Sequence, residues 1–167
     1  MHKVLIALGG NEGDVLSTFE RACTYLSCDI LNLRKSSPYR TAPVYDKPGV
    51  IEPAEKAPDY WNAAICGQTF YGPEELLERL LAVEAHLGRK RPAPDCSPRP
   101  IDLDLLLFDD LIVHPETASE LTLPHPRMHT RLFVMEPVCD IAADWIHPVL
   151  NKTLVEIRDD LRKASQA

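Results

Sequence analysis

Asp102 and Asp104 stand two residues apart in Ile101-Asp102-Leu103-Asp104-Leu105, where apolar and acidic residues alternate. Residues i and i+2 of a strand share a face. The alternation therefore predicts two carboxylates side by side, with Ile101, Leu103 and Leu105 turned into the core. Adjacent carboxylates repel each other at a cost of a few tenths to about 1 kcal/mol. A hard divalent cation would remove that repulsion, and magnesium binds through one or two carboxylates plus substrate phosphates. Just upstream, Arg89, Arg91 and Arg99 interrupt a chain that is otherwise acidic. Guanidinium forks beside a metal-binding pair suit a nucleotide polyphosphate. A second basic group is Pro124-His125-Pro126-Arg127 with Arg131. Its two prolines restrain the turn and so position the imidazole at low entropic cost. Each feature also has a plainer reading: a solvated sheet edge, a solvated charge run, a structural histidine.

The elements that must position these groups follow from periodicity. Lys3 to Leu8 reads as a buried strand closed by Gly9-Gly10, and Val15 to Ser27 as a helix with Val15, Phe19, Cys23 and Leu26 on one face. Ile30 to Arg40 reads as a second strand interrupted near Pro38, and Tyr60 to Phe70 as a third. Gly72-Pro73-Glu74-Glu75 is a helix start, with proline and acids in the first turn. Leu76, Leu77, Leu80, Leu81, Glu84 and Leu87 follow at helical spacing, and Gly88 is a stop. Ile101 to Phe108 is a fourth strand, with helical stretches near residues 130–135 and 153–163. The order β-α-β-β-α-β predicts an α+β fold of the ferredoxin-like βαββαβ type, a mostly antiparallel sheet with its helices on one face. Pro38, Pro43, Pro48, Pro53 and Pro58 mark one long loop and Pro92, Pro94, Pro98 and Pro100 another. Loops of that length inside a small domain are usually functional.

Composition narrows the partners. With 18 Lys and Arg against 25 Asp and Glu, the net charge of −7 argues against a nucleic-acid coat. The chain of 167 residues reads as one domain. No stretch approaches the roughly 20 apolar residues of a membrane span, and the N-terminal apolar run is too short for a signal peptide. Five cysteines, an odd number without a CxxC pair, read as reduced thiols in a cytoplasmic protein.

The chain resembles the 6-hydroxymethyl-7,8-dihydropterin pyrophosphokinase family of folate biosynthesis. The resemblance rests on Ala7-Leu8-Gly9-Gly10-Asn11-Glu12-Gly13-Asp14, Tyr39-Arg40-Thr41-Ala42-Pro43 and Tyr60-Trp61-Asn62-Ala63-Ala64. It continues through Glu84, Leu87-Gly88-Arg89, the run from Pro98 to Phe108, Leu123 to Arg127, Arg131 to Val134, and Trp145-Ile146-His147-Pro148. These segments span most of the chain in family order. The Arg-x-Ile-Asp-Leu-Asp run followed by Pro-His-Pro-Arg is the most specific of them.

The resemblance implies a single pyrophosphokinase domain over 1–167, with the ferredoxin-like fold. Its activity would move the β,γ-diphosphate of ATP to the hydroxymethyl group of the pterin, releasing AMP. It implies two magnesium ions on Asp102 and Asp104, and phosphate contacts from the catalytic Arg89 and Arg99. Glu84, Arg91, His125 and Arg131 would serve the nucleotide. Thr41, Ala42 and Val44 would line the pterin pocket, Tyr60 and Phe133 stack on the ring, and Asn62 read its edge, since an amide both donates and accepts. The expected protein is a cytoplasmic monomer acting on two small molecules, with neither nucleic acid nor membrane as partner.

Three departures bear on the lid. Where the family often has Arg-Trp-Gly-Pro-Arg, this chain has Asp95-Cys96-Ser97-Pro98-Arg99; Lys47 to Lys56 is extra material; and a glycine-serine turn is here Gly9-Gly10. The alternative reading is therefore a non-catalytic nucleotide- and pterin-binding homologue with an impaired lid. An RNA-binding module of the same fold is a third reading, opposed by the charge.

Overall fold

A computed structural model describes residues 1–45, 48–49, 51–52, 58–91, 93, 97–114 and 121–166. Asp95, Cys96 and most of the 47–56 segment lie outside the described residues.

The elements run β1 (His2–Gly10), α1 (Val15–Leu26), β2 (Leu31–Lys35), β3 (Tyr39–Thr41), β4 (Tyr60–Thr69), α2 (Pro73–His86), β5 (Asp102–Phe108), α3 (Leu132–Ala142) and α4 (Leu154–Ser165), with a short 3-10 turn at Met128–Thr130. The Asp14 side chain accepts from the Ser17 N–H to start α1, and Gly88, at φ +101°, ends the turn after α2. The expected second strand is two short ones, β2 and β3, parted at residues 36–38. The sheet is antiparallel throughout, in the order β2-β4-β1-β5, with β3 also on the β4 edge. With β2 and β3 counted as one strand, this is the ferredoxin-like arrangement.

The helices cover both faces, which corrects the expectation of one helical face. Val15, Phe19, Ala22 and Leu26 of α1 and Leu76 and Leu80 of α2 pack with Val4, Ile6, Leu8, Ile65, Leu103 and Leu105. On the other face Met135, Val138 and Ala142 of α3 and Leu154 and Ile157 of α4 pack with Leu5, Ala64, Cys66 and Leu107. The consecutive apolar residues of β4, Ala63 to Cys66, are all buried, as a strand covered on both sides must be.

In β5 the alternation is broken. Ile6 pairs with Leu105 and Leu5 with Leu107, so Leu106 is an extra residue in a bulge. Leu103, Leu105 and Phe108 therefore face α1 and α2, while Leu106 and Leu107 face the other way. Asp102 and Asp104 share that second face, at the end of the sheet next to the start of α3.

Candidate active site

Register builds the floor of the site. Gly9 lies between Asn62 of β4 and Asp102 of β5, and Ala7 between Ala64 and Asp104. Two strand spacings, about 10 Å, therefore separate the strand that carries Asn62 from the strand that carries the carboxylates. The glycine keeps the floor open: a Cβ there would sit 3.7 Å from Asn62 Oδ1 and 3.9 Å from the Asp102 Cβ. Gly10 has a different reason. A Cβ would stand 2.6 Å from the Pro100 carbonyl oxygen, so only glycine lets residues 99–100 pass this close to β1. Asn11 fixes that approach. Its Oδ1 accepts from the Arg99 N–H at 2.9 Å, and the N–H groups of Asn11 and Glu12 donate to the Arg99 carbonyl. Its Nδ2 donates to the Pro58 carbonyl, so the returning limbs of both proline loops meet on one buried amide.

The carboxylate end is a network of ions. Arg89 pairs with Asp102 and donates to the Ile101 carbonyl, and Arg99 Nη1 lies 3.4 Å from the other Asp102 oxygen. Glu84 is 1% exposed and does not line the cavity. One of its oxygens accepts from the Leu103 N–H at 2.7 Å and the other from Arg91 at 3.0 Å, so it holds β5 and the basic loop from below. Burial raises the Glu84 carboxyl above its usual range, against the hydrogen bond from Leu103. Asp104 is raised as well, by burial first and then by the Asp102 and Glu84 charges, with Arg131 and Arg89 opposing. A carboxylate held up by its own kind is where a cation would be favourable. Among the described residues no group of three or more His, Cys, Asp or Glu side chains is placed to hold a metal. The Asp102–Asp104 pair thus fits a hard ion that completes its shell with phosphate oxygens and water.

His125 faces the same space. Its Nδ1 accepts from the Arg127 N–H at 3.2 Å, which leaves the proton on Nε2. Burial, then Arg131 and Arg127, lower its pKa to about 4, so at neutral pH it is a neutral hydrogen-bond donor. At the other end Asn62, 7% exposed, donates through Nδ2 to Thr41 Oγ1 at 2.7 Å. The Arg131 guanidinium sits 5.4 Å from the Phe133 ring centroid.

One cavity of about 280 Å³ joins the two ends. Arg89, Arg91, Arg99, Asp102, Asp104, His125 and Arg131 line it, as do Thr41, Ala42, Val44, Tyr60, Asn62 and Phe133. Every expected site residue except Glu84 is there. Arg127 of the second basic group lines it too, as do Leu106 and Val134, which had been given no role.

Comparison with known proteins shows the family. The model of the family described as 7,8-dihydro-6-hydroxymethylpterin-pyrophosphokinase matches residues 5–143. The chain belongs to this pterin pyrophosphokinase family. It is 35% identical over 158 residues to the 2-amino-4-hydroxy-6-hydroxymethyldihydropteridine pyrophosphokinase of Synechocystis sp., covering 93% of this chain and 74% of that one. The protein of the same name from Bacillus subtilis is 37% identical over 138 residues, covering 81% of this chain and 75% of the relative. A mitochondrial folate synthesis bifunctional protein of Arabidopsis thaliana is 36% identical over 84% of this chain, which spans 23% of that relative's length. Among solved structures, a Plasmodium falciparum HPPK-DHPS triple mutant superposes with a TM-score of 0.74 at 16% identity, over 95% of this chain and 43% of that one, which bears on the fold alone. As a member of the family, the chain is a pyrophosphokinase, a transferase of folate synthesis. Among the described residues no helix is long and apolar enough to cross a membrane.

Proposed function

We propose that the chain transfers the β,γ-diphosphate of ATP to the hydroxymethyl oxygen of 6-hydroxymethyl-7,8-dihydropterin. The new bond joins that oxygen to the β-phosphorus. The bond from the β-phosphorus to the oxygen it shares with the α-phosphorus breaks, AMP leaves with that oxygen, and the hydroxyl proton passes to solvent. The observation that supports this reading is the single cavity, with a carboxylate and guanidinium end and an aromatic and amide end on either side of Gly9.

In this reading Tyr60 and Phe133 stack on the flat ring, Asn62 reads its polar edge, and Thr41, Ala42 and Val44 close its side. Asp102 and Asp104 would hold two magnesium ions, which would neutralise phosphate charge and favour an in-line displacement. Arg89 and Arg99 form ion pairs with Asp102. Their guanidinium groups also line the cavity beside the carboxylates, where they would stabilise the charge that builds on the phosphates in the transition state. His125 offers its Nε2–H, and Arg91 and Arg131 add positive charge around the nucleotide. Glu84 acts from beneath by holding Arg91 and the β5 backbone. The protein works as one monomeric domain over 1–167, and a cytoplasmic setting suits its free thiols at Cys23, Cys28, Cys66 and Cys139.

A binding-only homologue is the weaker reading, because Arg89, Arg99, Asp102 and Asp104 share one cavity with the ring site. The test is AMP formation from ATP and magnesium with and without the hydroxymethyl pterin. Pterin-dependent AMP is expected. No AMP, or AMP formed equally without the pterin, would overturn the proposal.

A further inference from the structure

The ring end of the cavity lies between two elements that do not follow each other in the chain. One wall, Thr41, Ala42 and Val44, continues from β3. The other, Phe133 and Val134, is the first turn of α3. β3 is only three residues long and pairs with β4 at Tyr60 to Asn62. Three backbone pairs are a weak hold on a strand that must present a binding wall. The first turn of α3 is also loosely fixed by its own helix: Pro137 has no N–H to donate to the Phe133 carbonyl four residues before it.

One side chain ties the two walls together. Asp140, two turns along α3 from Phe133, accepts from the Tyr39 hydroxyl through Oδ1 at 2.8 Å and from the Ser37 N–H through Oδ2 at 3.1 Å. Both oxygens thus bind the approach to β3 and its first residue. Tyr39 in turn pairs with Asn62 across the sheet, and Thr41 at the other end of β3 accepts from the Asn62 amide. A line of contacts runs from Asp140 through β3 to the group that reads the substrate's edge. The carboxylate raises the Tyr39 pKa to about 12, so the hydroxyl stays a donor across the working pH range.

We infer that Asp140 is a positioning residue for the ring site, clamping β3 to α3 and so setting the gap into which the flat substrate enters. It touches no substrate atom and acts through Tyr39, Ser37 and Thr41. This rests on the proposed pterin pyrophosphokinase function for the identity of the ligand, but the clamp itself is a property of the free protein.

The test compares Asp140→Ala, Asp140→Asn and Tyr39→Phe in the full chain. In the free protein, Asp140→Ala is expected to speed amide hydrogen exchange across residues 39–44 several-fold and to leave residues 102–108 unchanged. The pterin Kd should rise about three- to tenfold with the ATP Kd unmoved. Asp140→Asn, whose amide oxygen still accepts from Tyr39 but whose NH2 cannot accept from the Ser37 N–H, should recover part of the loss, and Tyr39→Phe should reproduce part of it. Unchanged exchange at 39–44 in Asp140→Ala would overturn the inference whatever the protein binds. So would equal weakening of both ligands together with a lowered Tm, since that is the mark of a general structural role. A wild-type protein that bound no hydroxymethyl pterin would instead remove the proposed function and leave the exchange result to decide the clamp.

Discussion

At the carboxylate end of the cavity, Glu84 is 1% exposed and accepts from the buried Leu103 N–H and from the more exposed Arg91, while Arg89 and Arg99, at 12% and 18% side-chain exposure, converge on Asp102. At the ring end, Val44 is half exposed, the wall it shares with Thr41 and Ala42 continues from the three-residue β3, and the Asp140 clamp lies at the surface. In the proposed reading, charge is handled by groups fixed in advance, and the flat ring is received by groups that a few surface hydrogen bonds keep in place. Electrostatic stabilisation of a transition state demands donors and ligands that do not reorganise at the moment of reaction. Stacking tolerates small displacements, because each contact is weak and many share the load. The two ends should therefore fail differently when damaged.

The largest failure is expected at the carboxylates. Asp102→Ala and Asp104→Ala should each lower turnover by about three orders of magnitude or more, as removal of fixed charge stabilisation does, and EDTA should silence the wild type until magnesium is returned. Asp104→Asn sharpens the point. It should be as inactive as the alanine variant yet unfold at a higher temperature without ligands, because it removes a carboxyl whose ionisation is disfavoured by burial first and then by the Asp102 and Glu84 charges. Each kcal/mol regained would lift Tm by about 2–4 °C. An unchanged or lowered Tm would mean that the pair is not strained in the free protein.

Arg99→Ala comes next, with kcat lowered about 100- to 1000-fold and pterin affinity little changed. A loss confined to KM would place Arg99 in ground-state binding instead. Smaller again is Asn62→Ala, which leaves the ring's polar edge unpaired at about 1–3 kcal/mol. Its effect should fall on the pterin Kd and spare ATP; separate titrations of the two ligands decide. Equal losses would erase the distinction between the ends.

The smallest effect concerns His125. Its pKa in the fold, about 4, lies below the ordinary histidine value of 6.5. The unfolded chain therefore binds more protons between these values, and the stability owed to the neutral imidazole is full above pH 6.5 and lost as pH falls toward 4. Urea midpoints should decline across that window and decline less in His125→Gln. Catalysis should show no inflection from His125 between pH 6 and pH 8. A bell-shaped profile lost in His125→Gln would make it an acid or base instead of a fixed donor.

The strand of Asp102 and Asp104, the helix start at Gly72-Pro73 and the paired basic groups were legible because each is written in adjacent residues. Helices on both faces were foreshadowed only by the unbroken apolar runs Ala63 to Cys66 and Leu105 to Phe108, which no one-sided sheet needs. The Leu106 bulge has no local signature, since four consecutive apolar residues fit either register. Glu84 carried a signal: an acid on the apolar stripe of α2, between Leu80 and Leu87, had to be buried and paired. Asn11 carried little. Its partners Arg99 and Pro58 are 88 and 47 residues away, and only the fold brings them together. The departure at Asp95-Cys96, on which the reading of an impaired lid rests, lies outside the described residues.

The product pair gives the most direct test of the proposed chemistry. Phosphorus NMR of a reaction containing the protein, magnesium, ATP and 6-hydroxymethyl-7,8-dihydropterin should show AMP and a diphosphate ester of the pterin appearing in equal amounts. ADP with a pterin monophosphate, or AMP with free diphosphate and unchanged pterin, would contradict diphosphate transfer.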